Sequence, residues 1–520
     1  MGHLAHRTVP SAQLGPMMLQ GGALEAQGRL AAAAALYEAA AHSFPECVEP
    51  IEAYANALAR MGQSERALVQ FQCALQRQPD SANAHFRTGE ILAQLGKYRE
   101  SVPHFERAVA LKPDWLEARD VCGRMLWICH EYTAAERMWR EWRAAQAAAA
   151  RSQGLDPDEF RILDPVWTRW LGNHAHLDAY VKIGLLGWRK PVHIKLLAPR
   201  GMVANEAYLA LWRNYVEIVS EPDEIERLSS LTGVLGDSLH TMLVDEVPTY
   251  YTNAIAVVQA EWERQGRAPL LQLSEEERER GWRMLASLGL PRTAWFACLH
   301  VREPGFWNEA DDRTNRPRVA SIRSYLPAIE HIVSRGGWVV RLGDSSMQAL
   351  APMPGLIDYA HSDAKSDWMD VFLCATCRFL IGTNSALYQV CITFGTPSVA
   401  TNWVPLSSFP MSRSDIVLPK RLRSRADGTE LPFDAVLRLP RDAPFGQLFD
   451  DHRLDVIDNT PEEIMEGVDE MLQRTDGVWE SSDEARARTE RFSAVAALHR
   501  VTVNGGIGER FLARHAGLLA

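Results

Sequence analysis

The chain has 520 residues, of which 47% are hydrophobic and 23% charged, and its formal net charge is −11. A chain of this length accommodates roughly two to four domains and can form hydrophobic cores without disulfides. The negative net charge argues against a nucleic-acid-binding protein that relies on a basic surface, and weakly against docking of the whole molecule on anionic lipid.

No targeting, membrane or metal signal is predicted. The first residues lack a charged region followed by a long apolar run, and no stretch of about 18 apolar residues predicts a transmembrane helix. The eight cysteines are scattered. Cys374 and Cys377 have CxxC spacing without a second pair, and Asp311 and Asp312 have no obvious partner ligands. We therefore expect a cytoplasmic protein with no bound metal and no required cofactor.

The first quarter of the chain carries a repeat with a period of 34 residues. Five positions recur three times: Gly28, Gly62 and Gly96; Ala33, Ala67 and Ser101; Tyr37, Phe71 and Phe105; Ala40, Ala74 and Ala108; Pro45, Pro79 and Pro113. A fourth, degraded copy has His130 at the glycine position and Trp139 at the aromatic position. The period resembles the tetratricopeptide repeat, a pair of helices, so we predict an α-solenoid over residues 15–150.

A solenoid of helix pairs presents a concave face made by the first helix of each pair. Projection of these helices predicts that the face carries Glu52, Asn56, Arg60, Asn83, Glu90 and Gln94. The functional interpretation is a groove for a protein partner. The alternative is a structural extension that packs on the rest of the chain.

Beyond a polar segment at 151–159, the pattern changes to strands alternating with helices, which predicts parallel sheets. We predict a first α/β lobe over 160–288 and a second over 289–460. Helices are expected over 461–520, and whether they cross back to the first lobe is left open. Strands of the second lobe are expected at 295–301, 338–342, 356–359, 379–382 and 397–401, of which 397–401 is the last clear one.

Two clusters at predicted strand ends suit a phosphate, because ligands of such sheets bind at the carboxyl ends of strands. In one, Gly382, Thr383, Asn384 and Ser385 lie where a strand gives way to a helix, whose free amide groups attract anions. In the other, Arg302 directly follows the strand WFACLHV and can bind phosphate oxygens in a bidentate manner. The alternatives are ordinary helix capping and an ion pair with a carboxylate.

Three further residues are candidates for the same phosphate site. Arg341 lies near the end of the strand WVVRL and Gly343 follows that strand; the arginine would supply charge and the glycine would allow close backbone approach. An ion pair within the protein is the alternative for Arg341. Lys365 precedes a predicted helix and is a further candidate cation.

A candidate general base lies in the segment GNHAHLD, which we place in a loop after the first strand. His176 together with Asp178, or else His174, could accept a proton from a hydroxyl group near neutral pH. The alternative is a histidine with a surface or capping role.

Several segments resemble a family of bacterial GT-B glycosyltransferases similar to enzymes of surface-carbohydrate assembly: CLHVRE, GGWVVRLGD, KSDWMDVFL and FLIGTNSALYQV. The last segment also resembles the nucleotide-sugar loop of heptosyltransferases. The resemblance implies twin Rossmann-like lobes. It also implies a donor diphosphate held by Arg302 and residues 382–385, and inverting transfer without an essential metal.

The combination of a helical repeat with such a transferase also resembles O-GlcNAc transferases and flagellin glycosyltransferases, in which the solenoid presents a protein acceptor. The expected function is therefore transfer of a sugar from a nucleotide-sugar donor to a hydroxyl of a protein or surface glycan. One alternative is a non-catalytic scaffold of tetratricopeptide repeats with a degenerate GT-B domain. Another is a two-lobed nucleotide-sugar epimerase.

Overall fold

The chain folds into two units that divide inside a helix. The computed structural model describes residues 11–304, 315–408, 412–441 and 445–519. One unit extends to Ala145 and the other begins at Gln146, within the helix Tyr132–Ser152. Asp311 and Asp312 lie outside the described residues.

Consecutive helix pairs build the described part of the N-terminal unit. The helices are α1 (Ser11–Ala26), α2 (Leu30–Ser43), α3 (Glu49–Arg60), α4 (Ser64–Arg77), α5 (Ala82–Gln94), α6 (Tyr98–Leu111), α7 (Leu116–Ile128) and α8 (Tyr132–Ser152). Each predicted glycine lies between the two helices of a pair, with φ values of 73° to 75° at Gly28, Gly62 and Gly96. His130 takes the same left-handed conformation with φ of 68°, which confirms that the fourth pair follows the repeat.

A further residue of the repeat, which the sequence reading missed, explains how the two helices of a pair approach each other. Gly89 of α5 and Gly123 of α7 lie 34 residues apart, and each packs against an aromatic ring of the following helix. A Cβ atom at Gly123 would lie 2.4 Å from Nε1 of Trp139, and one at Gly89 would lie 2.9 Å from the Phe105 ring. The ring occupies the space of the missing side chain.

The C-terminal unit contains a small sheet and a large sheet, both parallel. The small sheet has the order β1-β2-β3, with β1 (Phe160–Leu163), β2 (His193–Leu197) and β3 (Glu217–Val219). The seven strands of the large sheet are β6 (Phe296–His300), β7 (Trp338–Arg341), β8 (Leu356–Ile357), β9 (Leu380–Gly382), β10 (Ser398–Trp403), β11 (Ile416–Pro419) and β14 (Gly506–Ile507). Their order is β14-β11-β10-β9-β6-β7-β8. An antiparallel hairpin joins β4 (Thr241–Val244) to β5 (Val247–Tyr250), and β12 (Arg421–Ser424) pairs antiparallel with the distant β13 (Leu454–Ile457).

The sheets are accompanied by helices of unequal length. Those described are α9 (Val166–Arg169), α10 (Leu171–Leu185), α11 (Glu206–Ala210), α12 (Pro222–Ser229), α13 (Thr232–Leu235), α14 (Tyr251–Arg264), α15 (Glu275–Ser287), α16 (Leu326–Ser334), α17 (Asp367–Thr376), α18 (Ala386–Thr393), α19 (Phe433–Leu437), α20 (Phe445–Asp451), α21 (Pro461–Thr475), α22 (Asp483–Leu498) and α23 (Glu509–Arg514). In the described part of the chain, no helix combines the length and the apolar character needed to span a bilayer.

Two expectations about this unit are wrong. The segment GNHAHLD does not form a loop, because α10 begins at Leu171 and includes it. The strand at 397–401 is not the last of its sheet, since β11 and β14 extend the sheet beyond β10. β14 has only two residues and forms by pairing with β11, whereas the sequence reading missed β11 although its four residues are buried.

One continuous hydrophobic core links the small and large sheets. Helix α10, which follows β1, packs directly against α18, which follows β9. Polar contacts also join the C-terminal segment to α14: the Asn504 side chain donates to the Ala256 carbonyl at 3.2 Å. Helix α21 packs on β10 and β11 of the large sheet.

Candidate functional site

The large sheet changes direction between β6 and β9. The chain passes from β6 outward through β7 and β8, then returns to the other side of β6 at β9. In parallel α/β sheets, ligands bind outside the carboxyl ends of the strands at such a reversal. His300 and Gly382 are paired at the ends of these two strands, and a Cβ atom at Gly382 would lie 2.0 Å from the His300 carbonyl oxygen. Glycine at 382 is therefore required for the two strands to lie this close.

A cavity of about 580 Å³ opens at this reversal, and we name it the switch-point cavity. Its lining from the small-sheet side is Arg169, Trp170, Leu171, Gly172 and Ala204; from the large-sheet side it is His300, Arg302, Glu303, Arg318, Asp344, Met347, Asn384, Ser385, Ala386, Leu387 and Gln389. Three of the residues predicted to bind phosphate line the cavity: Arg302, Asn384 and Ser385. A pocket of this size and mixed character suits a small organic ligand.

Two arginines concentrate positive charge in the cavity. The backbone N–H of Arg302 donates to Oγ1 of Thr383 at 2.9 Å, which ties the end of β6 to the turn after β9. Nη2 of Arg318 donates to the carbonyl and side-chain oxygens of Asn384, at 3.1 Å each. Desolvation and the neighbouring Arg318 lower the pKa of Arg302 to about 9, and desolvation lowers the pKa of Arg318. An anion placed between them would relieve their repulsion.

The turn from 382 to 385 ends in the N-terminus of α18. Ser385 is the residue before the first helical position, and its side chain caps no backbone N–H. Its Oγ is buried and has no hydrogen-bond partner among the described residues. Asn384 is held in place by a hydrogen bond from its Nδ2 to the Val404 carbonyl at 3.1 Å. A hydroxyl and free helix amides therefore lie at the same wall as the two arginines.

Most lining residues were not among the candidates from the sequence, and Arg318, His300 and Asp344 are three of them. Arg318 lies in the short 3-10 turn Arg316–Arg318, and no sequence pattern places that turn beside β9. His300 and Asp344 belong to the same strand-end motifs as Arg302 and Gly343, which is the signal that could have found them. Burial and the adjacent Arg302 lower the pKa of His300 to about 3, so its imidazole is neutral near pH 7.

Arg341 and Lys365 do not line the switch-point cavity. The buried Arg341 side chain pairs with Glu303 at 3.0 Å and with Asp358 at 3.1 Å, as in the alternative interpretation from the sequence. Lys365 pairs with Asp370. Both cations thus form ion pairs with carboxylates of the protein, and the geometry lends no support to a phosphate-binding role for either.

Gly343 has φ of 147°, and a Cβ atom there would clash with Sδ of Met347 at 2.2 Å. The glycine therefore allows the Met347 side chain to pack closely. Met347 itself lines the cavity, so Gly343 shapes the wall without contacting the cavity space.

The three predicted catalytic residues lie inside α10 and are buried. His174 stacks on the Tyr208 ring, and the His176 ring lies 5.0 Å from that of Tyr251. Burial lowers the pKa of each histidine to about 4. Asp178 pairs with Lys182 at 2.5 Å. None of the three lines the switch-point cavity, so the geometry does not place them where a hydroxyl group could be deprotonated.

A second, larger cavity of about 1090 Å³ adjoins the first, since Glu303 and Met347 line both. Ion pairs dominate its wall. Lys420 pairs with Asp458 at 2.6 Å, and Arg425 pairs with Asp450 at 3.0 Å. Its cations are therefore balanced by carboxylates.

On the N-terminal unit, several residues of the predicted groove bond to one another or to neighbours. Glu52 accepts hydrogen bonds from Ser81 at 2.7 Å and Asn83 at 2.8 Å. Arg60 pairs with Glu25 at 3.3 Å, and Glu90 pairs with Arg87 at 2.7 Å. Asn56 is partly buried and Gln94 is exposed. The predicted face thus carries an ordered polar network.

A family model of the tetratricopeptide repeat matches residues 17–47 and 53–114. The N-terminal unit is a tetratricopeptide-repeat solenoid. Repeats of this kind indicate a protein-interaction module. No curated protein matches the chain.

Several solved structures are similar to 27–28% of the chain. A MamA double mutant (RS-1) is 18% identical, with a TM-score of 0.26, over 28% of this chain and 80% of its own. YrrB, described as a tetratricopeptide-repeat protein with an unusual peptide-binding site, is 19% identical, with a TM-score of 0.23, over 27% and 75%. A second MamA structure is 17% identical, with a TM-score of 0.24, over 27% and 83%. Scores this low support no inference about fold or function.

Proposed function

We propose that the C-terminal unit is a GT-B-type glycosyltransferase with twin Rossmann-like lobes, built on the small and large sheets. It would transfer a sugar from a nucleotide-sugar donor to a hydroxyl of a protein or surface glycan. The observation that carries this proposal is the convergence of Arg302, Arg318 and the Ser385 helix start at the reversal of the large sheet. The resemblance of the strand-end motifs to GT-B glycosyltransferases supports the same assignment.

The donor diphosphate would lie between the two guanidinium groups and the amides at the start of α18. As the bond to the sugar breaks, negative charge develops on the leaving diphosphate. Fixed positive charges at hydrogen-bonding distance stabilise that charge without reorganisation. Two adjoining cavities of about 580 and 1090 Å³ leave room for the nucleoside and the sugar on either side of the diphosphate.

In this proposal, the base that accepts the hydroxyl proton is a group of the cavity wall. Among the described lining residues, Glu303 is engaged by Arg341, and the lowered pKa of His300 makes it a weak base. Asp344 has one carboxylate oxygen bonded to the Ser346 N–H at 2.8 Å. We therefore assign the base role to Asp344 in place of His174, His176 or Asp178. Inversion of the sugar configuration without an essential metal belongs to the proposal through the resemblance to GT-B glycosyltransferases.

The solenoid would recruit a protein partner or the acceptor itself. Asn56 and Gln94 are the groove residues for which no internal bond is described, whereas Glu52 and Asn83 hold each other. If the solenoid presents a folded protein acceptor, N56A/Q94A lowers transfer to that protein and leaves transfer to a short peptide unchanged. Transfer to the folded protein that is the same in the variant as in the parent would refute recruitment through this face.

The test of the donor site is thermal unfolding of the full chain with UDP, GDP, CDP, CMP, dTDP and inorganic pyrophosphate. A ligand at about 100 times its Kd adds about 2.7 kcal/mol of apparent stability. We expect one nucleotide to stabilise the protein and R302A to lose that effect. R283A is the matched control, because Arg283 is exposed and pairs only loosely with Glu279 at 3.7 Å.

Each result separates the proposal from its rival. Stabilisation by pyrophosphate alone would leave an anion site without a nucleotide and would refute the donor assignment. No response to any of the six ligands would favour the non-catalytic scaffold, with the solenoid as the functional part.

A further inference from the structure

Two histidines of the solenoid place ring nitrogens opposite each other. His85 lies in α5 and His104 in α6, so the pair connects the two helices of one repeat. The two Nδ1 atoms are 3.2 Å apart, and the ring centroids are 5.3 Å apart. Both residues are partly exposed, so an ion can reach them from solvent.

The backbone determines which nitrogen of His85 can bind an ion. Nε2 of His85 lies 2.9 Å from the Pro79 carbonyl oxygen, which can only accept a hydrogen bond. Nε2 therefore carries the proton, and in the neutral ring Nδ1 presents its lone pair towards His104. Histidines that ligate metal ions commonly donate the other ring N–H to a backbone carbonyl, which fixes the tautomer and the ring orientation.

His104 is also suited to bind an ion near neutral pH. Burial, and to a smaller extent the neighbouring His85, lower the pKa of His104 from its ordinary value of 6.5, so its ring is mostly neutral at pH 7. In the structure, Nδ1 of His104 then donates to Nδ1 of His85. When an ion replaces this hydrogen bond, His104 takes its other neutral tautomer, in which the proton lies on Nε2.

The separation of the two nitrogens is that of two ligands on one ion. Zinc binds histidine nitrogen at about 2.0–2.1 Å in tetrahedral geometry, which places two such nitrogens about 3.3 Å apart. An ion can therefore bridge His85 and His104 after rotation of the rings, without a shift of the helices. Imidazole suits Zn²⁺, Ni²⁺ and Cu²⁺, whereas Mg²⁺ prefers oxygen ligands.

The surroundings of the pair bear on its charge and on its coordination number. Asp80 follows Pro79 in the chain and pairs with Arg107, which lies one helical turn beyond His104, so the arginine charge is balanced. Within the described ranges of the chain, no group of three or more His, Cys, Asp or Glu side chains is placed to hold one ion. The pair therefore provides two protein ligands and leaves the remaining positions to water.

We propose that His85 and His104 bind one divalent transition-metal ion of the zinc, nickel and copper class. The ion would join α5 to α6 through two coordinate bonds in place of one hydrogen bond. This site belongs to the solenoid and does not depend on the proposed transfer.

The test is calorimetric titration of the full chain with Zn²⁺, Ni²⁺, Cu²⁺ and Mg²⁺ near neutral pH. We expect one equivalent of Cu²⁺ to bind more tightly than Ni²⁺ or Zn²⁺, and Mg²⁺ not to bind at this site. H85Q and H104Q should each raise the Kd at least about tenfold, because each removes one of two ligands. Electron paramagnetic resonance of the Cu²⁺ complex should show two coupled imidazoles in the parent and one in either variant.

The control is H42N, since His42 is an exposed histidine of the same unit, with its Nδ1 bonded to the Glu38 carbonyl at 2.8 Å. It should bind the ions as the parent protein does. Circular dichroism checks that each variant is folded. If H104Q does not fold, H85Q serves alone, because the glutamine amide can keep the hydrogen bond to the Pro79 carbonyl.

Absence of saturable Cu²⁺ and Zn²⁺ binding would overturn the proposal. Binding that H85Q and H104Q leave unchanged, or that H42N weakens equally, would also overturn it, because the ion would then lie at other histidines of the surface. The nucleotide-induced thermal shift, measured on the same variants, reports on the donor site independently. A failed metal titration with an intact nucleotide shift would refute the metal site and leave the proposed function standing.

Discussion

Acidification should destabilise the C-terminal unit through three histidines that the fold keeps neutral. Burial lowers the pKa of His174 and His176 to about 4 and, with Arg302, that of His300 to about 3, from an ordinary value of 6.5. The unfolded chain therefore binds more protons than the folded chain between these values. The stabilisation is fully present above about pH 6.5 and is lost as the pH falls towards about 4.

The size of the effect follows from the two pKa values of each histidine. Lowering the pH from 7 to 5 protonates the unfolded form but not the folded form, which removes about 2 kcal/mol of stability per histidine. Replacing His176 with phenylalanine removes one titrating group from the helix α10. The loss of stability between these pH values should therefore be about 2 kcal/mol smaller in H176F than in the parent protein.

The assay is urea unfolding followed by tryptophan fluorescence at both pH values. H452N is the control, because His452 is exposed in the same unit, and its loss should equal that of the parent protein. An equal loss in H176F and the parent would refute the reasoning, since it would mean that His176 titrates alike in the folded and unfolded states. A solvent-facing histidine, which was the alternative interpretation from the sequence, would behave in that way.

Three more results are expected. G123A should destabilise the solenoid by about 1–3 kcal/mol, because the added Cβ would overlap Trp139. G22A is the control and should not destabilise it, because no atom lies within 4 Å of the added Cβ. Equal melting temperatures of the two variants would contradict the packing. R341M should lower the free energy of unfolding by about 3–5 kcal/mol, because Glu303 and Asp358 lose their pairing with Arg341. The nucleotide-induced thermal shift should remain. Loss of that shift in a folded variant would restore the phosphate role of Arg341. S385A should leave stability unchanged or slightly higher, because the Ser385 hydroxyl bonds no described residue. It should weaken pyrophosphate binding, measured by calorimetry, about 2- to 10-fold. Unchanged binding would remove Ser385 from the anion site.

Much of the fold could be predicted wherever local chemistry determines structure. Ser274 begins α15 with a capping box, in which Ser274 and Glu277 each bond the other's backbone N–H. The left-handed turn at His130 followed from its position in the repeat alone. The short strand β14, by contrast, has two residues, Gly506 and Ile507, and exists only through its pairing with β11.

Some residues of the candidate site could likewise be predicted from the sequence and others could not. Arg302, Asn384 and Ser385 could be chosen because the ends of parallel strands meet at one edge of a sheet, and the motifs mark those ends. Arg318 could not be chosen, since a turn 66 residues away from Asn384 in sequence reaches it only in the folded chain. Arg341 could not be excluded, because its carboxylate partners Glu303 and Asp358 come from two different segments.

The sequence by itself determined the helical repeat, the alternation of strands and helices, and the strand ends that could bind an anion. These depend on periodicity and on residues a few positions apart. Only the tertiary structure decided which cations face the cavity, which are consumed by ion pairs, and that His174 and His176 are buried in a helix. The physical reason is that burial and pairing depend on contacts between segments distant in sequence, which no local pattern encodes.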